Sequence, residues 1–515
     1  MNFFKKSRKK KDWYRIKQYP HIGLILKPKD RNWIELYIKD KNNVKKHAFY
    51  PFIHRKLKVR RFRRERNKDG SSSRYRFESY KERDIFYANH LDSNIYSYYS
   101  EIISQQYELA LRDRKIEDSV TAYRKIKVDQ KNESSRNKCN IDFANDIFCF
   151  IKGSKDVDLV AITFDIKSFF DNLDHKILKK SWRDVIKSGT DLPLDHYNIF
   201  RSITKYSFIE EDDLFSEFKN EILVARKPEI IKKIKVKKKK YLREKRAVAY
   251  CTKDNIERIR SKGLIKSNKY TDKERKELRE KGIPQGSPIS ALLANMYMLD
   301  FDSSADKFIK ERDGIYRRYS DDMVVVCPDI HKEDVINYFN AEIKRYELEI
   351  QESKTQIANL KYFSKEQRYY VQNNKSFEYL GFQFDGFTTL LKSASLAGYY
   401  RKMKRSFARS RFFTFHNNTE TKGELFKSRL YKRFTHVGSN RRRIYQRHPE
   451  HKNKFILSYK YDWGNYITYS KHAAKIIPDN EISGQLKRHW KNFHKMIIDI
   501  ERTSKNNEGE SREIL

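Results

Sequence analysis

The chain has 515 residues, with 112 Lys and Arg against 69 Asp and Glu and a formal charge of +43. Such an imbalance repels itself and calls for a polyanionic partner, while 34 Tyr and 33 Phe exclude a disordered basic tail. Four scattered cysteines exclude a disulfide framework or a Cys-x-x-Cys zinc site; with no 18-residue apolar run and no apolar leader, a reduced, cytoplasmic protein without a membrane partner is expected.

Residues 1–12 are basic and expected to fray, and Asn67 to Ser73 reads as a loop. Residues 83–108 predict a helix, since Ile95, Tyr99, Ile102 and Ile103 fall near helical spacing. The apolar run 157–166, VDLVAITFDI, reads as a buried strand with Asp165 near its C-terminal edge. A helix carrying Leu173, Ile177 and Leu178 then begins at Asn172 or Asp174. Between 186 and 280 the sequence is polar and uneven, and 232–246 holds ten Lys/Arg and one Glu. That block reads either as a solvated insertion or as a nucleic-acid clamp.

Residues 283–299 run from a Pro-Gly turn into a helix, and 315–327 reads as a β-hairpin whose tip is Tyr319-Ser320-Asp321-Asp322. Adjacent carboxylates repel and are costly to desolvate, so a hairpin tip that carries two needs compensation, which a divalent cation supplies. An amphipathic helix is expected over 331–348, and a second hairpin over 367–385, turning at Asn373-Asn374. The last 125 residues show a strand signal only near 455–468. A helix is predicted over 482–500, with Ile482, Leu486, Trp490, Phe493, Ile497 and Ile500, and the final dozen residues are expected to be disordered. The order of elements over 157–385 predicts an α+β fold, an antiparallel sheet backed by helices.

Asp165 ends one strand and Asp321 and Asp322 cap a hairpin; if those strands are neighbours, the three acids meet at one sheet edge. The plainer reading is three unrelated surface acids, but both sites are flanked by apolar residues such as Ile162, Phe164, Val324 and Val325. The succession FDIKSFFDNLDH, GIPQGSPISALLANMYM, YRRYSDDMVVV, IQESKT and FEYLGFQF resembles the ordered motifs of reverse transcriptases over 157–385. The resemblance implies a right-hand polymerase: an N-terminal extension with mixed α/β fingers at 1–156 and a ferredoxin-like palm at 157–385 with a fingers insertion near 186–282. A mainly helical thumb and extension would fill 386–515.

It further implies that Asp165 and Asp321 bind two Mg²⁺ ions, with Mn²⁺ as a substitute, that Asp322 supports them and that the Ile166 carbonyl completes a coordination shell. Phe170 is the implied steric gate against a ribose 2′-hydroxyl. Gln285 and Gly286 would approach the incoming dNTP, Lys354 the leaving pyrophosphate, and Arg124, with Lys138 as second choice, the triphosphate. Tyr379, Leu380 and Gly381 would form the primer grip.

HAFYPFIH, FYANHLDSNIYSYY, AYRKI and NKCNIDFANDIF, with a tail containing SLAGYYRKMKR, resemble the bacterial unknown-group and abortive-infection reverse transcriptases of phage defence, relatives of the group II intron and retron enzymes. That likeness implies an RNA template, a non-coding RNA and a DNA product, and leaves open a homo-oligomer or a companion defence protein. It also leaves open template-independent or protein-primed synthesis, and a group II intron or retron-type enzyme. Retron enzymes carry a Val-Thr-Gly where LLKSASLAGYY stands here, and intron enzymes often carry cysteine pairs that are lacking. Competing readings are an RNA-dependent RNA polymerase, for which Asp171 speaks, and a catalytically silent nucleic-acid-binding module.

Overall fold

A computed structural model describes residues 13–512 apart from 67–71, 133–134, 226–229, 273–276, 373–375, 417–422, 439–442, 448–454, 462–463 and 479. β1 (His21–Ile22), α1 (Arg31–Lys39) and α2 (Lys41–Lys46) precede a long hairpin of β2 (Phe52–Arg66) and β3 (Ser72–Tyr87). Next come α3 (His90–Asp113), α4 (Asn140–Gly153), β4 (Leu159–Asp165), α5 (His175–Ile186) and α6 (Leu194–Thr204). The insertion continues through β5 (Ser207–Glu210), α7 (Glu211–Phe218), β6 (Ile222–Ala225), β7 (Ile231–Ile234), β8 (Ala247–Cys251) and α8 (Ile256–Ser261). It closes with β9 (Lys266–Ser267), β10 (Tyr270–Asp272) and β11 (Glu277–Leu278).

α9 (Ser290–Tyr297) and α10 (Leu299–Lys310) lead to β12 (Ile315–Tyr319), β13 (Asp322–Pro328) and α11 (Lys332–Arg345). β14 (Gln356–Phe363) and β15 (Arg368–Val371) follow, then a small sheet of β16 (Phe377–Tyr379), β17 (Phe382–Phe384) and β18 (Thr389–Leu391). The C-terminal part contains α12 (Ser393–His416), α13 (Lys427–Phe434), β19 (Arg443–Arg447), β20 (Phe455–Tyr461), α14 (Tyr466–Ile476), α15 (Glu481–Leu486) and α16 (His489–Arg512). Among the described residues no helix is long and apolar enough to cross a membrane.

The central sheet has the order β12-β13-β4-β14-β15 with every pairing antiparallel, and the class is α+β. Strand alternation sends the side chains of β4 into two cores. Val160, Ile162 and Phe164 join Met323, Val325, Phe301 of α10 and Phe339 of α11, with Phe164 stacked on Phe339 at 4.8 Å. Leu159 and Ala161 join Val324, Val326 and the α4 residues Ile147, Phe148 and Ile151. A sheet covered on both faces explains why its strands read as continuous apolar runs.

Several expectations are corrected. Residues 83–87 belong to β3, laddered to β2 from Arg83↔Leu57 to Tyr87↔Ile53, and the helix starts only after Asn89, whose side chain accepts the Leu91 N–H. Ser72 and Ser73 likewise lie in β3. β15 pairs with β14, and β16 with β17, so 367–385 is not one hairpin; Asn373 and Asn374 lie outside the described residues, as do 1–12 and 67–71. The helix expected over 482–500 breaks after Leu486, which lets Ile482 join the sheet core while Phe493, Ile497 and Ile500 join a separate helical one. Of the final dozen residues, those up to Arg512 continue α16, since extending a formed helix adds a hydrogen bond for each residue fixed. The segment 186–280 is structured: β8 pairs with β1 and β5 with β2, over a core that includes Ile22, Ile53, Phe218, Ile222 and Tyr250.

The β12–β13 hairpin is anchored by a fully buried ion pair. Arg318 donates from Nε to Asp302 Oδ1 at 2.7 Å and from Nη2 to Oδ2 at 2.6 Å, and both side chains are 0 % exposed. Removing one partner leaves the other charge unpaired in the core. Asp302→Ala is therefore expected to cost about 3–5 kcal/mol, read from denaturant melts.

Candidate active site

β4 ends at Asp165 where β13 begins at Asp322, and the two residues are partners across the ladder. Tyr319 pairs with Asp322, closing a two-residue turn in which Ser320 adopts φ 63°. Three contacts fix that turn: the Ile166 N–H donates to the Asp321 carbonyl at 3.2 Å, Arg318 Nη1 to the Ser320 carbonyl at 3.1 Å, and the Tyr123 hydroxyl lies 3.2 Å from Ser320 Oγ.

These elements form one wall of a cleft of about 580 Å³, which Asp165 and Asp322 line with Lys354, Glu378, Leu380, Gly381 and Lys392. Asp322 opens onto the cleft, yet its carboxyl is pushed up to about 6, first by burial among the surrounding atoms and then by the like charges of Asp321 and Asp165. Lys354 and Lys392 act in the opposite sense. Lys354 Nζ sits 2.5 Å from Asp165 Oδ1, and Lys392 Nζ lies 2.5 Å from Glu378 Oε2.

Among the described residues no three His, Cys, Asp or Glu side chains are gathered as an ion-holding group. The donor chemistry nevertheless fits a hard divalent cation: neighbouring carboxylates whose like charges raise Asp322, one of them engaged by a half-exposed lysine.

Phe170 is half-buried, and its carbonyl accepts the Ile283 N–H at 2.9 Å, which brings the loop after β4 against the Pro284-Gln285-Gly286 turn. The Gln285 carbonyl accepts the Phe86 N–H at 2.8 Å. Gly286 has φ 117°, and a Cβ there would lie 2.7 Å from the Phe86 carbonyl oxygen, so glycine is required by close packing against β3. Leu380 (φ 44°) and Gly381 (φ 92°) form the tight turn between β16 and β17, on the cleft wall across from Asp322, with Tyr379 buried beneath.

Arg124, the residue implied to meet the triphosphate, is tied into the fold. Its side chain is only 6 % exposed, with Nε and Nη2 on the Glu108 carboxylate at 2.9 and 2.6 Å and Nη1 on the Glu117 and Val120 carbonyls. A guanidinium so engaged ties α3 to the following loop, with four of its five N–H donors spent inside the fold. Lys138 is paired with Asp146 at 2.8 Å. The resemblance gives the ligand role to Asp321, whereas the ladder sets Asp322 opposite Asp165.

Residues 233–384 match the family described as "Reverse transcriptase (RNA-dependent DNA polymerase)". These residues are a reverse transcriptase domain. Domains of this class are nucleotidyltransferases that work with divalent metal ions, and their fold is that of a right-hand polymerase. The matched stretch begins after β4, so the reverse transcriptase domain draws Asp165 into its cleft from outside the match.

No curated protein sequence matches the chain. Among solved structures, apo telomerase from Candida tropicalis has 14% identity over 79% of this chain and 62% of that one, with a TM-score of 0.36. Telomerase from Candida albicans in complex with the TWJ fragment of telomeric RNA has 14% identity over 78% and 57%, with a TM-score of 0.33. The chain spans about three fifths of the length of the telomerases it resembles.

Arg318, Asp302, Glu378 and Lys392 were missed by sequence reasoning. No spacing rule links Lys392 to Asp322; only the small sheet β16-β17-β18 brings them to one cleft. Folding raises the Asp322 carboxyl from 3.8 to about 6, so the folded chain holds that proton more tightly than the unfolded one. The stability this provides is complete below the ordinary value and lost as pH rises through the folded one. Without added metal, Asp322→Asn is therefore expected to melt above the unsubstituted protein at about pH 8, with the difference vanishing near about pH 3.

Proposed function

We propose that the chain is an RNA-directed DNA polymerase that extends a primer with deoxynucleotides. The observation that carries the reading is the in-register pairing of Asp165 with Asp322, next to Asp321, at the mouth of a cleft built largely from the reverse transcriptase domain. Asp165, Asp321, Asp322 and the Ile166 carbonyl would hold Mg²⁺, or Mn²⁺ in its place; the bound cations would offset charge on the reacting phosphate and acidify the primer hydroxyl.

The chain's own groups then divide the work. Lys354 Nζ leaves Asp165 and turns to the leaving pyrophosphate, to which it gives charge or a proton. Phe170 crowds a ribose 2′-hydroxyl, and Gln285 meets the sugar from the turn that Gly286 presses against β3. Leu380 and Gly381 bring backbone to the primer end. In this scheme the fingers comprise 1–156 with the insertion 186–282, the palm the rest of 157–385, and the thumb 386–515.

The finer assignment is to bacterial antiphage defence with an associated non-coding RNA. It is supported by the upstream segments HAFYPFIH and FYANHLDSNIYSYY, and sequencing RNA and DNA that copurify before and during phage infection tests it.

Asp165→Asn is expected to lower dNTP incorporation on a primed RNA template by on the order of 100-fold or more, since each 1.4 kcal/mol of lost charge stabilisation is tenfold in rate. Activity equal to the unsubstituted protein would refute the site. Phe170→Ala is expected to raise the ratio of NTP to dNTP incorporation by about 10- to 200-fold, the range set by removing a steric contact. Single-nucleotide incorporation with each substrate measures it.

A further inference from the structure

The basic block of the insertion is a fixed rim. β7 is the outer strand of the sheet β1-β8-β6-β7, and Val236 and Leu242, both buried, pin the following segment to the core beneath. Nine of the ten basic side chains between 231 and 246 are exposed, and Glu244 is the one acid among them.

Nearby acids are already engaged. Lys239 takes Glu211 at 2.9 Å and Asp212 at 2.5 Å, while Arg258 takes Glu217 at 2.7 Å and Glu221 at 2.5 Å. Apart from Lys239 and Lys233, which is 3.8 Å from Glu221, no cation of the rim has an acid within ion-pair reach among the described residues. Lysines on an edge strand guard against sheet-to-sheet pairing, but Lys232 and Lys233 suffice for that, and the run continues to Arg246.

None of these residues lines the cleft. The one aromatic residue of the rim, Tyr241, is half-buried with Lys240 Nζ over its ring at 5.1 Å, so the surface offers cations without a stacking platform. That chemistry reads phosphates and helical shape rather than unstacked bases.

We propose that the rim at 231–246 is a second polyanion site, separate from the cleft, that takes the phosphate backbone of a folded, double-helical RNA. The choice of RNA over duplex DNA rests on the RNA-directed reading above; the site itself does not.

The test uses the full chain carrying K232Q, K233Q, K235Q, K237Q and K238Q together, titrated with a fluorescein-labelled RNA hairpin across a salt series. Removing five phosphate contacts should reduce the slope of log affinity against log salt by about 3.5 to 4.5, and weaken binding more than tenfold at low salt. Replacement of the same five lysines by Arg should restore both, while dNTP incorporation on a short primed single-stranded RNA stays unchanged. An unchanged slope overturns the proposal. So does an equal loss from a control carrying K29Q, K155Q, K344Q, K361Q and K365Q, which would reduce the rim to bulk charge. Loss on a DNA duplex without loss on the RNA hairpin overturns the RNA assignment. Should the unsubstituted protein incorporate no dNTP, the polymerase reading fails while the salt slopes still decide this one. Thermal melting of both Gln variants confirms that they are folded, and the Arg variant decides if they are not.

Discussion

β4 is hydrogen-bonded on both edges, to β13 and to β14, and the register of those two ladders is the constraint from which the cleft follows. A slip of one residue would turn every side chain of β4 over, exchanging Val160, Ile162 and Phe164 with Leu159 and Ala161 between two cores of different shape. Because both faces are packed, that slip is forbidden, and Asp165 has to stand opposite Asp322. The second ladder extends past the strand: the Asp165 carbonyl accepts the Gln351 N–H at 2.7 Å, which brings the segment carrying Lys354 to the same edge.

The turn at Ser320 depends on a different device. Arg318 spends two donors on Asp302 and another on the Ser320 carbonyl, so a buried charge pair and the left-handed turn position each other. Asn295 joins them, accepting from Arg318 at 3.2 Å while donating to the Ala122 carbonyl at 2.9 Å. Buried pairs of this kind are weak sources of net stability, but they select one geometry because any other leaves a charge unpaired.

A chain of charge +43 attracts polyanions over long range, yet three acids stand together at the cleft. Segregation solves this. In the cleft, burial and the charges of Asp321 and Asp165 raise Asp322, while Lys354 and Lys392 act against that rise. On the insertion, acids of α7 and the residues just after it are taken up by Lys239 and Arg258, which leaves the neighbouring rim almost purely cationic. Long-range attraction and local chemistry are thereby assigned to different surfaces.

The apolar runs around Asp165 and Asp322 were enough to place both acids on core strands, since strands covered on both sides need continuous hydrophobicity and polar residues at their ends mark an edge. The order of motifs made the reverse transcriptase domain legible, along with the Leu380-Gly381 turn. Legibility failed wherever a local pattern fits two partners. Residues 83–87 are as compatible with a helix as with a strand until β2 lies beside them, and a single helical stripe over 482–500 serves two cores only because the chain breaks after Leu486. Arg124 looks like any available cation until Glu108 and two carbonyls surround it. Composition, motif order and strand-end acids are properties of neighbours in the chain, and the sequence determines them alone. Register, the ion pair of Arg318 with Asp302 and the approach of Lys392 to Asp322 join distant residues, and only packing in three dimensions decides them.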